Sequence, residues 1–95
     1  MIQVEKIKVS ELKPNPQNPR SISKKQKEKL MESIKDFPEM LNLRPIVVDE
    51  DNVVLGGNMR LSVLNELGID EVSYVKAANL TEEQKKEFII KDNLS

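Results

Sequence analysis

Hydrophobic positions along this chain change period several times, and each change predicts an element. Ile2 and Val4, then Ile7 and Val9, alternate with polar residues and predict an opening β-strand that ends at Ser10-Glu11-Leu12. Lys13-Pro14-Asn15-Pro16-Gln17-Asn18-Pro19-Arg20 follows. Proline fixes φ and biases the preceding residue toward extended backbone, so this segment predicts a stiff, ordered loop. From Ser23 the spacing turns helical. Leu30, Met31, Ile34 and Phe37 supply one apolar face, Ser23 and Gln26 stand at capping-box spacing, and Pro38 closes the helix. Pro45-Ile46-Val47-Val48 predicts a short buried strand, Asp49-Glu50-Asp51-Asn52 a polar turn, and Val53-Val54-Leu55 a strand returning from it. A helix is expected over Asn58 to Leu67, with Gly68 as its C-terminal cap. Val72, Tyr74 and Val75 predict a further strand, and Thr81 with Gln84 a second capping box opening a final helix that carries Phe88, Ile89 and Ile90. The order is β-α-β-β-α-β-α, an α+β domain with a small mixed sheet and three helices.

Composition narrows the chemistry. The 95 residues suit one small domain with a modest core. Fifteen basic residues against sixteen acidic ones leave a net charge of −1, so nothing global draws the chain to nucleic acid or to an anionic membrane. Cysteine is absent, which excludes disulfides, thiolate zinc sites and cysteine nucleophiles. Histidine is absent too, removing the usual neutral-pH general base and the commonest metal ligand. No apolar run is long enough to span a bilayer and no signal peptide is evident, so a cytoplasmic protein is the expectation. The apolar residues of the last helix come just before Lys91-Asp92-Asn93-Leu94-Ser95, with no stop signal after them. Residues 1–95 are therefore expected to be one domain, the N-terminal piece of a longer protein.

Candidate chemistry concentrates at Leu55-Gly56-Gly57-Asn58-Met59-Arg60. Glycines between a strand and a helix let backbone N–H groups approach a ligand, and a helix N-terminus favours negative charge. Arg60, in the first turn, opposes the helix dipole but offers a fork of donors suited to phosphate. Glycine also serves simply to turn the chain, so turning and anion binding both stay open. The turn is not a Walker loop, because it lacks the lysine and the Ser/Thr that such a loop uses.

Other clusters have plain readings beside sharper ones. Arg20 is either a solvated cation or, with the amides of Asn15, Gln17 and Asn18, a group presented toward a cleft. Lys24, Lys25, Lys27 and Lys29 read as the wet face of the first helix, diluted by Glu28 and Glu32. Asp49, Glu50 and Asp51 are either the tip of an acidic turn or ligands for a metal ion. Phe37, Met40, Leu41 and Leu43 divide between core and an exposed docking edge, with at least half expected in the core. Arg44 stays open.

Taken together, these segments resemble the ParB/sulfiredoxin superfamily, in its ParB-like N-terminal domain. Asn15-Pro16-Gln17-Asn18-Pro19-Arg20 is similar to the family's Asn-Pro-x-x-Pro-Arg box. Arg44-Pro45-Ile46-Val47-Val48 is similar to its Gln-Pro-Ile-x-Val strand. Leu55-Gly56-Gly57-Asn58-Met59-Arg60-Leu61 stands where ParB proteins carry Gly-Glu-Arg-Arg and sulfiredoxins Gly-Gly-Cys-His-Arg. Ile89-Ile90-Lys91-Asp92-Asn93 resembles, more weakly, the start of the Glu-Asn-x-x-Arg helix. The resemblance implies a nucleoside triphosphate ligand, CTP or ATP, with Mg. It places Gly56, Gly57, Asn58 and Arg60 at the phosphates and Arg20 and Asn93 as auxiliary contacts. It implies DNA as a partner through a region outside this chain, and homodimerisation is left open.

Departures from the family pattern matter as much. Asn58 stands where a sulfiredoxin has its cysteine, so sulfiredoxin chemistry is excluded for want of a thiolate. Asn58 and Met59 also replace two charged groups of the partition-type motif, which bears on hydrolysis. The Gly-Gly-Asn-Met-Arg variant resembles ParB-like domains of phage and mobile-element proteins, some linked to DNA methyltransferases. Two other classes stand beside nucleotide binding. One is an enzyme, a ParB-like nuclease, a weak NTPase or a small-molecule kinase, with Asp49, Glu50, Asp51 or Asp92 supplying the carboxylate. The other is a protein-interaction module with a vestigial phosphate cleft.

Overall fold

Eight regular elements, described in a computed structural model over residues 3–16 and 23–94, follow the predicted order with one addition. They are β1 (Glu5–Lys8), α1 (Lys24–Asp36), α2 (Met40–Leu43), β2 (Ile46–Val48), β3 (Val54–Gly56), α3 (Asn58–Leu64), β4 (Glu71–Lys76) and α4 (Glu82–Leu94). A single 3-10 turn, Val9–Glu11, follows β1. The side chains of Asn93 and Leu94 lie outside the description, as do Arg20 and its neighbours Gln17, Asn18 and Pro19.

The expectation of three helices is corrected to four by α2. Pro38 does end α1, but it also starts the next turn. Its carbonyl accepts from Leu41 and that of Glu39 from Asn42 and Leu43. Proline has no N–H to lose at a helix start and its φ is already helical, so one residue both stops α1 and seeds α2. The helix expected to run to Leu67 keeps regular geometry only to Leu64. Beyond it, Gly68 donates to Asn65 and Ile69 to Leu64, with Gly68 at φ 71°. That is a Schellman ending, with glycine in the left-handed position that residues with a Cβ adopt reluctantly. Both capping boxes form. Ser23 Oγ accepts from the Gln26 N–H and Gln26 Oε1 from the Ser23 N–H, each at 3.1 Å. Thr81 and Gln84 exchange the same pair at 3.0 and 3.1 Å.

The sheet has the order β1-β4-β2-β3. β1 is antiparallel to β4, β4 parallel to β2, and β2 antiparallel to β3. The outer edge of β3 is covered at its start by the proline-rich loop. Lys13 donates to the Asn52 carbonyl at 2.9 Å and accepts from the Val54 N–H at 2.8 Å, which satisfies backbone groups a bare edge would expose. α1 packs on α3, α2 on β4 and α4 on β3. Ile46, Val48, Val54, Val63 and Leu64 are wholly shielded from water at the centre. Each such side chain contributes about 1.5–3 kcal/mol by burial. Of the four residues divided between core and docking edge, Leu41 is buried and Met40 half-buried, while Phe37 and Leu43 are exposed. The consequence for function is positional: β3 and α3 meet at the glycine pair, between the proline loop on one side and α4 on another.

Candidate functional site

The turn from β3 into α3 places its two glycines differently. Gly56 is the last residue of β3, buried and opposite Val47. A Cβ there would lie 3.0 Å from the Phe88 ring and 3.2 Å from Asp92 Oδ2, so the missing side chain lets α4 approach β3. Gly57 leads into α3 at φ 101°, a conformation that favours glycine. A Cβ on Gly57 would lie 3.0 Å from Arg60 Nη2 and 3.0 Å from Ile46 Cγ1. The guanidinium of Arg60 therefore rests on the bare backbone of Gly57.

Arg60 is held there from a second side. Its Nη1 donates to the main-chain carbonyl of Arg44, the residue before Pro45. Burial, and after it the charge of Arg44, push the guanidinium below the ordinary arginine range, with Asp92 opposing both. The Arg60 cation is thus desolvated beside a second cation, an arrangement that an anion would relieve. The first intrahelical bond runs from the Leu61 N–H to the Gly57 carbonyl. The N–H groups of Asn58, Met59 and Arg60 consequently have no acceptor within their own helix. α3 is only seven residues long, so its dipole is small and Arg60 carries most of the positive potential.

Asn58 does not point its carboxamide at open space. Its Nδ2 donates to the Val54 carbonyl at 3.2 Å and its Oδ1 accepts from the Asn15 N–H at 3.3 Å. Both ends of this side chain, which is expected near a phosphate, have protein partners, because the proline loop and β3 flank it. Arg20 lies outside the described residues, and Asn93 follows Asp92 on α4 with its side chain undescribed. Among the predicted residues, the structure brings Gly56, Gly57, Asn58 and Arg60 together. It adds Arg44, Phe88 and Asp92, whose places depend on β2 and α4 packing against the turn.

The acidic segment Asp49-Glu50-Asp51 forms a separate cluster, with ligand atoms within 4.8 Å of one another. Asp49 Oδ1 accepts from the N–H groups of Asp51 at 2.8 Å and Val53 at 3.0 Å, which shapes the β2–β3 turn. A cation is already supplied by the chain. Lys85 Nζ lies 2.9 Å from Glu50, 3.3 Å from Glu82 and 3.6 Å from Asp49. Burial pushes the Asp49 carboxyl up, but the Val53 and Asp51 N–H groups and Lys85 outweigh it and hold it below its ordinary value. The Glu50 hydrogen bond, against burial and with help from Glu82, raises the Lys85 ammonium above its ordinary range. The cluster reads as an ion-paired clamp between the hairpin turn and α4. Sequence spacing contained the signal for Lys85: it precedes Phe88 by three and Ile89 by four, which puts it on the inward face of α4.

Comparison with known proteins bears on the same chain. The family model described as the ParB N-terminal domain matches residues 1–94. The ParB-like nuclease domain-containing protein YnaK of Escherichia coli (strain K12) is 33% identical over 87 residues, covering 86% of this chain and 97% of that protein. The C-terminally truncated chromosome-partitioning protein ParB from Caulobacter crescentus, solved in complex with CTP-gamma-S, superposes with a TM-score of 0.84 at 21% identity. That match covers 97% of this chain and 53% of the other. The pNOB8-like ParB N-domain gives a TM-score of 0.78 at 23% identity, covering 98% of this chain and 35% of the other. The fold is shared, and this chain spans between about a third and about a half of those two solved chains.

Proposed function

Because this chain belongs to the ParB N-terminal domain family, we propose that it binds the phosphates of a nucleoside triphosphate at the Gly57–Arg60 turn. The observation that carries this reading is the seat of Arg60. Its guanidinium lies on Gly57, is anchored by the Arg44 carbonyl, and is desolvated beside the Arg44 charge. A polyanion relieves that charge and meets donors already fixed in direction. The leading N–H groups of α3 add further donors, and Gly56 contributes by letting α4 close on the turn. The CTP-gamma-S found with the Caulobacter crescentus protein supports a nucleotide as the ligand class. Arg20 and Asn93 enter only through their motif positions, as auxiliary contacts. On family membership, the domain would serve a DNA-associated protein, with the DNA contacts made by a region outside this chain.

A second reading, phosphoester hydrolysis, is favoured by one observation. Asp92 places a carboxylate over Gly56 and its charge bears on Arg60. One carboxylate together with ligand phosphates suits Mg²⁺, which keeps several waters and rarely uses an all-protein cage. Titrating CTP, ATP, GTP and UTP with and without Mg²⁺, then measuring phosphate release by the native chain and by Asp92→Asn, separates the two readings. Saturable binding without turnover supports a nucleotide-binding module. Turnover lost in Asp92→Asn supports hydrolysis, and no binding of any nucleotide contradicts the proposal.

A further inference from the structure

We propose that Asn58 is a positioning residue of this site, its carboxamide clasping the proline-rich loop to the glycine turn. The inference rests on the reading of the turn as a phosphate site. It deepens that reading by naming what sets the loop's place beside it.

The clasp joins segments 43 residues apart in sequence. Asn58 opens α3, yet its side chain turns back along β3, donating to the Val54 carbonyl at 3.2 Å and accepting from the Asn15 N–H at 3.3 Å. Only a carboxamide does both at this length. A carboxylate has no proton for a carbonyl, and a hydroxyl on a shorter arm does not span the two groups. The bond to Asn15 continues a run of attachments. Lys13 is already tied to both Asn52 and Val54, and Leu12 is buried just before it. Asn58 takes over two residues later, where the loop leaves the edge of β3. On the far side of the clasp lies an open cleft of about 390 Å³, lined by Pro14, Asn58, Leu61 and Ser62 among others. The Asn58 side chain is therefore one of the attachments, beside the Lys13 bonds, that set the distance of the loop from Arg60's turn. Asn58 acts on a ligand through the loop, and the charge that meets the anion is left to Arg60.

Amide hydrogen exchange at Asn15 tests the clasp with no ligand present. The chain is compared with Asn58→Ala, which loses both bonds, and with Asn58→Asp, which keeps the side-chain volume but loses the donor. The Leu61, Val63 and Leu64 amides report whether the fold persists. The clasp predicts exchange at Asn15 faster by about five- to tenfold in Asn58→Ala and little changed in Asn58→Asp, whose carboxylate still accepts from the Asn15 N–H, with the reference amides unchanged. It also predicts a similar weakening of nucleotide Kd in Asn58→Ala, a variant that adds no charge. Unchanged exchange at Asn15 in Asn58→Ala would overturn the clasp. Faster exchange with unchanged Kd would overturn the positioning role. A native chain that binds no nucleotide contradicts the phosphate site itself, while exchange at Asn15 still decides the clasp.

Discussion

Arg60 donates through Nη1 to the main-chain carbonyl of Arg44, so the turn after β3 and the approach to β2 share a hydrogen bond. The side chain that would meet an anion is thereby fixed by a backbone atom of a neighbouring element, while its other nitrogen rests on Gly57. Such anchoring lowers the ordering cost of binding, because the fork is held before a ligand arrives.

The glycines of the turn make separable predictions. Gly57→Ala forces φ 101° on a residue with a Cβ and drives that carbon to 3.0 Å from Arg60 and Ile46. Left-handed backbone alone costs about 1–2 kcal/mol. Gly68 has φ 71° but nothing within 4 Å of a Cβ, so Gly68→Ala costs the backbone term without crowding. Urea unfolding is expected to show both variants destabilised, Gly57→Ala more. Nucleotide binding is expected to fall only in Gly57→Ala. Equal loss of binding in Gly68→Ala would mean that stability, not the site, governs the readout.

The clamp at the β2–β3 turn predicts a pH dependence. Asp49 is held below its ordinary value by the Val53 and Asp51 N–H groups and Lys85, which together overcome burial. A carboxylate lowered in this way stabilises the fold above its unfolded-state pKa of about 4 and loses that contribution as pH falls through the folded value. Asp49→Asn is expected to be less stable than the native chain at pH 7, with the difference shrinking toward pH 3. Thermal unfolding across that range checks it, and a gap that persists in acid would contradict the assignment.

Thr81 fixes the start of the helix that carries Lys85, Phe88 and Asp92 to their partners. Its hydroxyl accepts from the Gln84 N–H at 3.1 Å. Thr81→Ala is expected to cost about 1 kcal/mol, read as a shift in urea midpoint. No change would show that packing on β3 holds α4 without its cap.

Much of this architecture was legible from local chemistry. Ser23 with Gln26, Thr81 with Gln84, and Gly68 each marked a helix end, because caps and left-handed stops depend on residues within a few positions. The β-branched run before Gly56 marked the strand that meets the site. α2 was hidden because Pro38 reads first as a stop, although the same ring geometry begins a helix. Lys85 was hidden for a different reason. A lysine reads as solvent-facing, and its burial depends on Glu50 arriving from a hairpin 35 residues away. The same holds for the Asn58 carboxamide, whose partner Asn15 is brought in by the loop, and for Arg44, whose relevant group is a carbonyl. Long-range pairing decides these partners, which no single-sequence period encodes, although the helical spacing of Lys85 from Phe88 and Ile89 does put it on the inward face of α4.

Calorimetric titration of nucleotide into the native chain and into Arg60→Ala tests the central claim most directly. A charge-assisted bond of this kind is worth about 1.5–3 kcal/mol, roughly a ten- to hundredfold change in Kd. The account predicts saturable binding that weakens by that factor in Arg60→Ala while the variant stays folded. Undiminished affinity in Arg60→Ala would contradict it and place the ligand elsewhere.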